Sequence, residues 1–240
     1  LSPDGKTLAF TSNEDGVSVL HLLDAKSGRD LRAPKFPVGV IGGLEWHENS
    51  RDLALSLSSA RSPSDVYSVD ITKGKLERWT FSETGGLNTA NFSLPELVRW
   101  KSFDGRQISG FLYRPPARFS GKRPVIINIH GGPESQARPG FLFRNNYYLN
   151  ELGAAIIYPN VRGSSGYGKS FLQLDNDFRR EDSYKDISDL LDWIKTRPEL
   201  DAERVLVTGG SYGGFMTLAV ATNYNDRICC SVDIVGVSNF

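Results

Sequence analysis

The residues with the clearest chemical potential are one serine and the glycines around it. Gly209, Ser211 and Gly213 form a Gly-x-Ser-x-Gly pattern between an aliphatic run and a run compatible with a helix. A sharp strand-to-helix turn needs glycines, because side chains beside the serine would collide with the neighbouring strand and helix. Such a turn exposes Ser211 and directs the first N–H groups of the helix toward whatever it attacks. The pattern predicts a nucleophile; the alternative is a structural serine in a glycine-rich turn.

A second glycine-rich turn follows an apolar run in the middle of the chain. Residues 124–129 are mostly apolar and lead into His130-Gly131-Gly132-Pro133. A continuous run of this kind is typical of a strand covered on both faces. Glycines at its end would let a backbone N–H approach a substrate oxygen, so this turn is a candidate donor to an oxyanion.

The elements that must position these turns alternate between strands and helices. A hairpin signal at Asp104-Gly105 joins two strand-like runs. Further strands are predicted at 154–158 and, as a buried last strand, at 229–235, and the apolar spacing between 184 and 194 predicts a helix. This order predicts an α/β fold with a mostly parallel, doubly wound sheet and functional loops at its strand ends.

The first part of the chain contains an internal repeat. The segment 2–10 aligns with 47–55, and 17–24 aligns with 65–70. A period in the mid-forties, made of short strands and tight turns, is typical of a four-stranded propeller blade. We expect about two blades, with further sequence upstream because two blades cannot close a ring. The alternative is a pair of similar hairpins in a β-sandwich.

A polar segment at 83–88 separates the repeats from the alternating part of the chain. The sequence therefore predicts two incomplete domains. Residues 1–92 are expected to form the C-terminal part of a β-propeller, and residues 93–240 the N-terminal part of an α/β domain. A chain of 240 residues has enough apolar material for two modest cores.

The composition limits the partners that the chain can bind. Basic and acidic residues number 28 each, so no global field attracts nucleic acid or an acidic membrane surface. No segment reaches the length of a membrane span. We expect a small molecule or short peptide as partner and no metal or other cofactor, while the compartment (cytoplasmic or periplasmic) and a homo-oligomeric state stay open. The adjacent Cys229 and Cys230 are expected to be buried, reduced thiols.

Three motifs in this order carry a resemblance to a known family. They are His130-Gly131-Gly132-Pro133, the run Arg162-Gly163-Ser164-Ser165-Gly166-Tyr167-Gly168, and Gly209-Gly210-Ser211-Tyr212-Gly213-Gly214. Together with the preceding repeats they resemble the prolyl oligopeptidase family of serine peptidases, in its acylaminoacyl-peptidase-like and dipeptidyl-peptidase-like branch. The resemblance covers nearly the whole chain and implies an α/β-hydrolase domain that follows the last blades of a β-propeller.

The resemblance also implies roles for particular residues. Ser211 would be the acylated nucleophile, and the backbone N–H groups of Tyr212 and of Gly132 or Gly131 would hold the oxyanion. Relatives with tyrosine in place of His130 use its hydroxyl as a donor, so we expect His130 to shape the loop instead. The pocket for the residue before the scissile bond would be lined by Tyr212, Val237 and Phe240.

The chain departs from the family in its catalytic triad, which runs Ser, Asp, His along the sequence. No histidine follows Ser211, and Asp233 lies too early for the acid, inside the last apolar strand. We expect the triad Asp and His beyond residue 240 and the fragment alone to be inactive. Arg162 is expected to tie its loop to neighbouring carboxylates or carbonyls rather than to contact substrate. The alternatives are a carboxylesterase on the same fold and a non-catalytic propeller and hydrolase-like interaction protein.

Overall fold

The computed structural model describes residues 1–238, which divide into two compact units. Unit 1 consists of residues 1–92 together with 138–142, and unit 2 consists of residues 93–137 and the chain from 143 onward. The short segment 138–142 is therefore separated in sequence from the rest of its unit, a placement that no local pattern indicated.

Unit 1 is built from two antiparallel sheets. One has the strand order β1-β2-β3 and the other the order β4-β5-β6-β7, so sequential strands are neighbours throughout. Buried and partly exposed residues alternate along β2 and β5, because successive side chains of a strand point to opposite faces. The strands are β1 (Thr7–Glu14), β2 (Val17–Asp24), β3 (Asp30–Leu31), β4 (Gly39–Trp46), β5 (Asp52–Ser59), β6 (Ser62–Asp70) and β7 (Lys75–Arg78).

The two sheets of unit 1 repeat the same strand-and-turn plan. Strands β1 and β5 are each 8 residues long and open equivalent hairpins. At the ends of the paired strands, Asp24 accepts the backbone N–H of Ser27 at 2.8 Å and Asp70 accepts that of Thr72 at 2.9 Å. The carboxylates thus stabilise equivalent turns. The repetition that the sequence predicted is present.

One buried carboxylate organises the end of unit 1. Asp65 is fully buried and receives Arg78 Nη2 at 2.5 Å, Thr80 Oγ1 at 2.9 Å and the backbone N–H of Ser82 at 2.9 Å. Burial acts to raise the pKa of Asp65, but the hydrogen bonds from Ser82, Thr80 and Ser62 prevail and lower it to about 2. The interactions fasten the segment after β7 to β6.

Unit 2 contains a mixed sheet with the strand order β13-β12-β10-β11-β9-β8. The four strands from β13 to β11 in this order run parallel to one another. Strand β9 pairs antiparallel with β11, and with β8 it forms the antiparallel hairpin predicted at Asp104-Gly105. The strands are β8 (Glu96–Lys101), β9 (Gln107–Tyr113), β10 (Arg123–Ile129), β11 (Ala155–Asn160), β12 (Leu200–Gly210) and β13 (Cys230–Ile234).

Helices and the sheet enclose the core of unit 2. The helices are α1 (Asn145–Asn150), α2 (Lys169–Leu172), α3 (Arg180–Lys195) and α4 (Tyr212–Asn223). The predicted apolar stripe of α3 is buried, with Ile187, Leu190 and Ile194 packed in the core with Ile127 and Val207 of the central strands. Of the described helices, none is long and apolar enough to cross a membrane.

The last strand differs from the prediction. Every residue of β13 is exposed, and Cys229 and Cys230 are free, exposed cysteines. The expectation of a buried strand with buried thiols is wrong for this structure. The physical reason is position: among the described residues β13 is the edge of the sheet and pairs only with β12.

Candidate active site

Ser211 stands at the corner between β12 and α4 in an unusual backbone conformation. Its φ is 56° and its ψ is −116°, and its side chain is exposed. A non-glycine residue in such a sparsely populated region costs about 1–3 kcal/mol and persists only when its surroundings hold it there. The Ser211 N–H donates to the Ile234 carbonyl at 3.0 Å, and its carbonyl accepts from Phe215 at 3.1 Å. The serine is thus fixed to a strand on one side and to a helix on the other.

The close passage of α4 over the neighbouring strand explains the glycine at position 213. A Cβ on Gly213 would overlap the carbonyl oxygen of Ile129 at the end of β10. Only a residue without a side chain lets the helix begin this close to the strand. The sequence pattern predicted this crowding around the serine.

The loop after β10 lies beside Ser211. Strands β10 and β12 are parallel neighbours, so their carboxyl ends reach the same edge of the sheet. A Cβ built on Gly131 would lie 3.5 Å from Ser211 Cβ and 3.2 Å from the Gly210 carbonyl oxygen. The two glycine-rich turns that are far apart in sequence therefore meet at one place, and Gly131 and Gly132 remain candidate donors to an oxyanion.

His130 is built into this loop through both ring nitrogens. Its Nδ1 lies 2.7 Å from the Gly131 carbonyl oxygen and its Nε2 lies 2.9 Å from Ser164 Oγ. Burial lowers the pKa of His130 and favours the neutral ring. A carbonyl oxygen only accepts, so Nδ1 carries the proton. Nε2 faces the Ser164 hydroxyl, which itself lies 2.6 Å from the Val161 carbonyl oxygen. These contacts agree with the expectation that His130 shapes the loop, and they leave neither nitrogen open as a base.

The segment that begins with Asn160 supports the same loop. Asn160 is fully buried, and its side chain pairs with both the N–H and the carbonyl of Ala137, at 2.7 Å and 3.0 Å. Farther along, the Ser165 N–H donates to the Ser135 carbonyl at 2.8 Å. Together with the contact between Ser164 and His130, these bonds hold the loop at both of its ends.

Arg162 anchors that supporting segment. Its side chain is 3% exposed, and its guanidinium binds Asp186 Oδ1 at 2.7 Å and Asp104 Oδ2 at 3.2 Å. Ser102 Oγ and the Arg162 N–H also donate to Asp186. The prediction that Arg162 ties its loop to carboxylates is confirmed. Burial nevertheless raises the pKa of Asp186, against the effect of Arg162.

Tyr212 directs its side chain into the protein rather than into open space. The residue is 1% exposed, and its hydroxyl lies 2.7 Å from Ser183 Oγ and 3.1 Å from Asp175 Oδ2. Burial raises the pKa of Tyr212 to about 12. Its backbone N–H opens α4 directly after Ser211, as an oxyanion donor must. Its predicted role as a pocket wall stays a prediction.

The remaining predicted pocket residues follow the exposed edge strand. Val237 is 42% exposed, three residues beyond the end of β13. Phe240 lies outside the described residues. Asp233 accepts the Gly236 N–H at 3.0 Å and is exposed, rather than enclosed in a buried strand as the sequence suggested.

Sequence reasoning missed the carboxylates and the hydroxyl that support the site from inside. Asp175, Ser183 and Asp186 are fully buried. The sequence contained a signal for Ser183 and Asp186. Each lies three or four residues from an apolar residue of α3 and therefore on the same face of the helix. Polar residues on a buried helix face require partners, and these are the partners of Tyr212 and Arg162.

No group of three or more potential metal ligands is present among residues 1–238. The corner between β12 and α4 presents an exposed hydroxyl beside two glycine-rich backbone turns. A serine held in a strained turn between a parallel strand and a helix is the arrangement by which one class of serine hydrolases presents its nucleophile.

Comparison with known proteins narrows that class. The model of the prolyl oligopeptidase family matches residues 140–240. The chain is 34% identical over 204 residues to the uncharacterized peptidase YuxL of Bacillus subtilis, an alignment that covers 83% of this chain and 30% of the relative. It is 31% identical over 251 residues to dipeptidyl aminopeptidase BIII of Pseudoxanthomonas mexicana, covering 98% of this chain and 36% of the relative.

Solved structures show the same fold. The acylaminoacyl peptidase of Pyrococcus horikoshii superposes with a TM-score of 0.77 at 27% identity, covering 97% of this chain and 36% of that one. A puromycin-hydrolyzing peptidase of Mycobacterium tuberculosis superposes with a TM-score of 0.83 at 22% identity, covering 100% of this chain and 37% of that one. The chain belongs to the prolyl oligopeptidase family of serine-type peptidases. It spans about a third of the length of these two curated relatives.

Proposed function

We propose that this protein hydrolyses short peptides through an acyl-enzyme formed on Ser211. The observation that carries the proposal is the strained, exposed Ser211 at the strand-to-helix corner, with Gly131 beside its Cβ. A nucleophile and a set of backbone donors at one point are the minimum that acyl transfer needs. Membership of a peptidase family supports the peptide bond as the group attacked.

In the proposed reaction, Ser211 Oγ attacks the peptide carbonyl and a general base takes its proton. The negative charge on the carbonyl oxygen is held by the N–H of Tyr212 and by that of Gly132 or Gly131. Collapse of the intermediate breaks the C–N bond, and the proton passes to the leaving amine. Water then releases the acyl group by the same steps. The base and the acid that orients it are not assigned to a residue of this chain, since both nitrogens of His130 are engaged.

The proposal extends to fold and specificity. We assign unit 2 to an α/β-hydrolase domain and unit 1 to blades of a β-propeller, which in this reading restricts access to short peptides. The alternation of parallel strands and helices supports the first assignment, and the repeated antiparallel sheets support the second. Tyr212, Val237 and Phe240 are proposed to line the pocket for the residue before the scissile bond.

Labelling of the intact protein with a fluorophosphonate tests the nucleophile. We expect rapid labelling that Ser211→Ala abolishes and that Ser231→Ala, at an exposed serine on β13, leaves unchanged. Hydrolysis of peptide p-nitroanilides should be lost in the same variant. Labelling that persists in Ser211→Ala would refute the assignment.

The same machinery hydrolyses esters, so a second comparison is needed. We expect the intact protein to cleave a peptide anilide with a higher kcat/KM than a simple p-nitrophenyl ester of matched acyl group. The reverse order would favour a carboxylesterase. Absence of both labelling and hydrolysis in the intact protein would favour a non-catalytic interaction protein.

A further inference from the structure

A buried polar cluster surrounds the side chain of Tyr212, the residue that follows the proposed nucleophile. It consists of Asp175, Arg180, Ser183 and the side chain of Tyr212, and we call it the Tyr212 anchor. Arg180 Nη1 binds Asp175 Oδ2 at 2.5 Å, and the Tyr212 hydroxyl lies between Asp175 Oδ2 and Ser183 Oγ. The reaction steps derived above use none of these side chains.

The cluster holds the phenol ring of Tyr212 from several directions. The Arg180 guanidinium carbon lies 5.3 Å from the ring centroid, within the range of a cation–π contact. The Tyr212 hydroxyl donates its single proton to Asp175 Oδ2, because a carboxylate only accepts. Ser183 Oγ lies 2.7 Å from both the Arg180 carbonyl oxygen and the Tyr212 hydroxyl, and its proton faces these two acceptors. The ring is therefore attached to the first turn of α3 and to the loop before it.

Asp175 itself fits its place closely. Its carboxylate is fully buried against Gly163, where an added Cβ would overlap both carboxylate oxygens. Gly163 has a φ of 91°, which side-chain-bearing residues rarely adopt. Among the described residues Asp175 Oδ1 has no hydrogen-bond partner, and burial raises the pKa of Asp175. A carboxylate kept at this cost requires a reason beyond general stability.

The backbone of Ser211 supplies that reason. Its conformation is strained and must be imposed by the residues on both sides. On the N-terminal side β12 is fixed within the sheet. On the C-terminal side Tyr212 is the next residue, and the direction of its Cα–Cβ bond is set by where its hydroxyl is bound.

We propose that Asp175 is a positioning residue that acts through the Tyr212 hydroxyl to hold Ser211 in its strained conformation and to aim the Tyr212 N–H at the oxyanion. This proposal rests on the proposed function of Ser211. It assigns Asp175 no contact with substrate.

A double-mutant cycle on the intact protein tests this role. Tyr212→Phe removes only the hydroxyl, and Asp175→Asn removes the charge while keeping the shape. We expect each to lower kcat about tenfold, equivalent to a modest loss of transition-state stabilisation, with KM little changed. Because both act through one bond, the double variant should be no slower than the slower single variant. Asp182→Asn, on the same first turn of α3 but paired with Lys185, is the matched control and should not change kcat.

Two further measurements separate positioning from simple stabilisation. A peptide boronic acid mimics the tetrahedral oxyanion, so its affinity should fall by the same factor as kcat, whereas a ground-state product should bind unchanged. Hydrogen exchange of the segment 209–216 should become several-fold faster in Asp175→Asn and not in Asp182→Asn.

The outcomes are distinguishable. Additive effects of Asp175→Asn and Tyr212→Phe, or a lower melting temperature with unchanged kcat and boronate affinity, would overturn the positioning role. If the native protein shows no labelling at Ser211, the proposed function fails instead. Hydrogen exchange of the segment 209–216 then decides alone whether Asp175 holds the turn, and unchanged exchange refutes it.

Discussion

Removing the Arg162 guanidinium should be among the most damaging single changes in unit 2. Arg162 is 3% exposed and Asp186 is fully buried, so Arg162→Met leaves a carboxylate without its counter-charge. Breaking a buried ion pair by removing one partner costs about 3–5 kcal/mol. For a domain of this size, that loss corresponds to a fall in melting temperature of about 6–20 °C.

The origin of the loss can be tested by changing Asp186 as well. Ser102 and the Arg162 N–H donate to different oxygens of Asp186, so Asp186→Asn keeps one of these two acceptors and removes the charge. If the isolated charge is responsible, Arg162→Met combined with Asp186→Asn should be more stable than Arg162→Met alone by about 1–3 kcal/mol. Asp104→Asn, at the more exposed partner, should have a smaller effect.

Calorimetry and urea denaturation of the intact protein measure these differences, with the transition of unit 2 followed by the fluorescence of its tryptophans. Trp100 is a suitable reporter because its indole N–H donates to the Asp186 carbonyl at 3.0 Å. Two results would refute the reasoning. One is a loss below about 1 kcal/mol in Arg162→Met, typical of a surface pair. The other is no recovery on adding Asp186→Asn.

Three further changes have defined expectations. Gly213→Ala should abolish reaction of Ser211 with a fluorophosphonate, because the new Cβ overlaps the Ile129 carbonyl at the end of β10. Gly210→Ala should retain the reaction, because the nearest atom to its Cβ is 3.8 Å away, and equal reactivity of the two variants would contradict the crowding argument. Burial lowers the pKa of His130, so the contribution of the neutral ring to stability is complete above about pH 6.5 and is lost as the pH falls. The stability of His130→Asn should therefore vary less between pH 7 and 5 than that of the native protein, as urea midpoints will show. Asp65→Asn should destabilise unit 1 at pH 7, and its difference from the native protein should shrink as pH falls from 4 toward 2, since the pKa of Asp65 is lowered to about 2; a constant difference in melting temperature would argue against it.

The turn at Ser211 could be predicted because its cause is local. Glycines on both sides of a serine, between an apolar run and a helical run, indicate a crowded strand-to-helix turn whatever the rest of the fold. The structure shows that crowding, with Gly213 against β10 and Ser211 in a strained conformation. The strands, the hairpin at Asp104-Gly105 and the stripe of α3 follow from local patterns in the same way.

The exposed thiols illustrate the limit of such patterns. Cys229 and Cys230 stand in an apolar run, which predicts burial, but their strand forms the edge of the described sheet. Whether an apolar strand is covered depends on which elements reach its two faces. Segment 138–142 likewise joins unit 1 through contacts with residues distant in sequence, including Arg138 with Ser18.

The sequence by itself determined where the chain turns, which segments are strands or helices, and that one serine would be presented at a glycine-rich corner, because these features depend on near neighbours. Only the tertiary structure decided that Asp175 and Asp186 are buried, that Tyr212 points inward and that the two glycine-rich turns meet. A carboxylate is stable in a core only when donors from other segments surround it, as Arg180 and Arg162 do here. That surrounding exists only after distant parts of the chain have packed together.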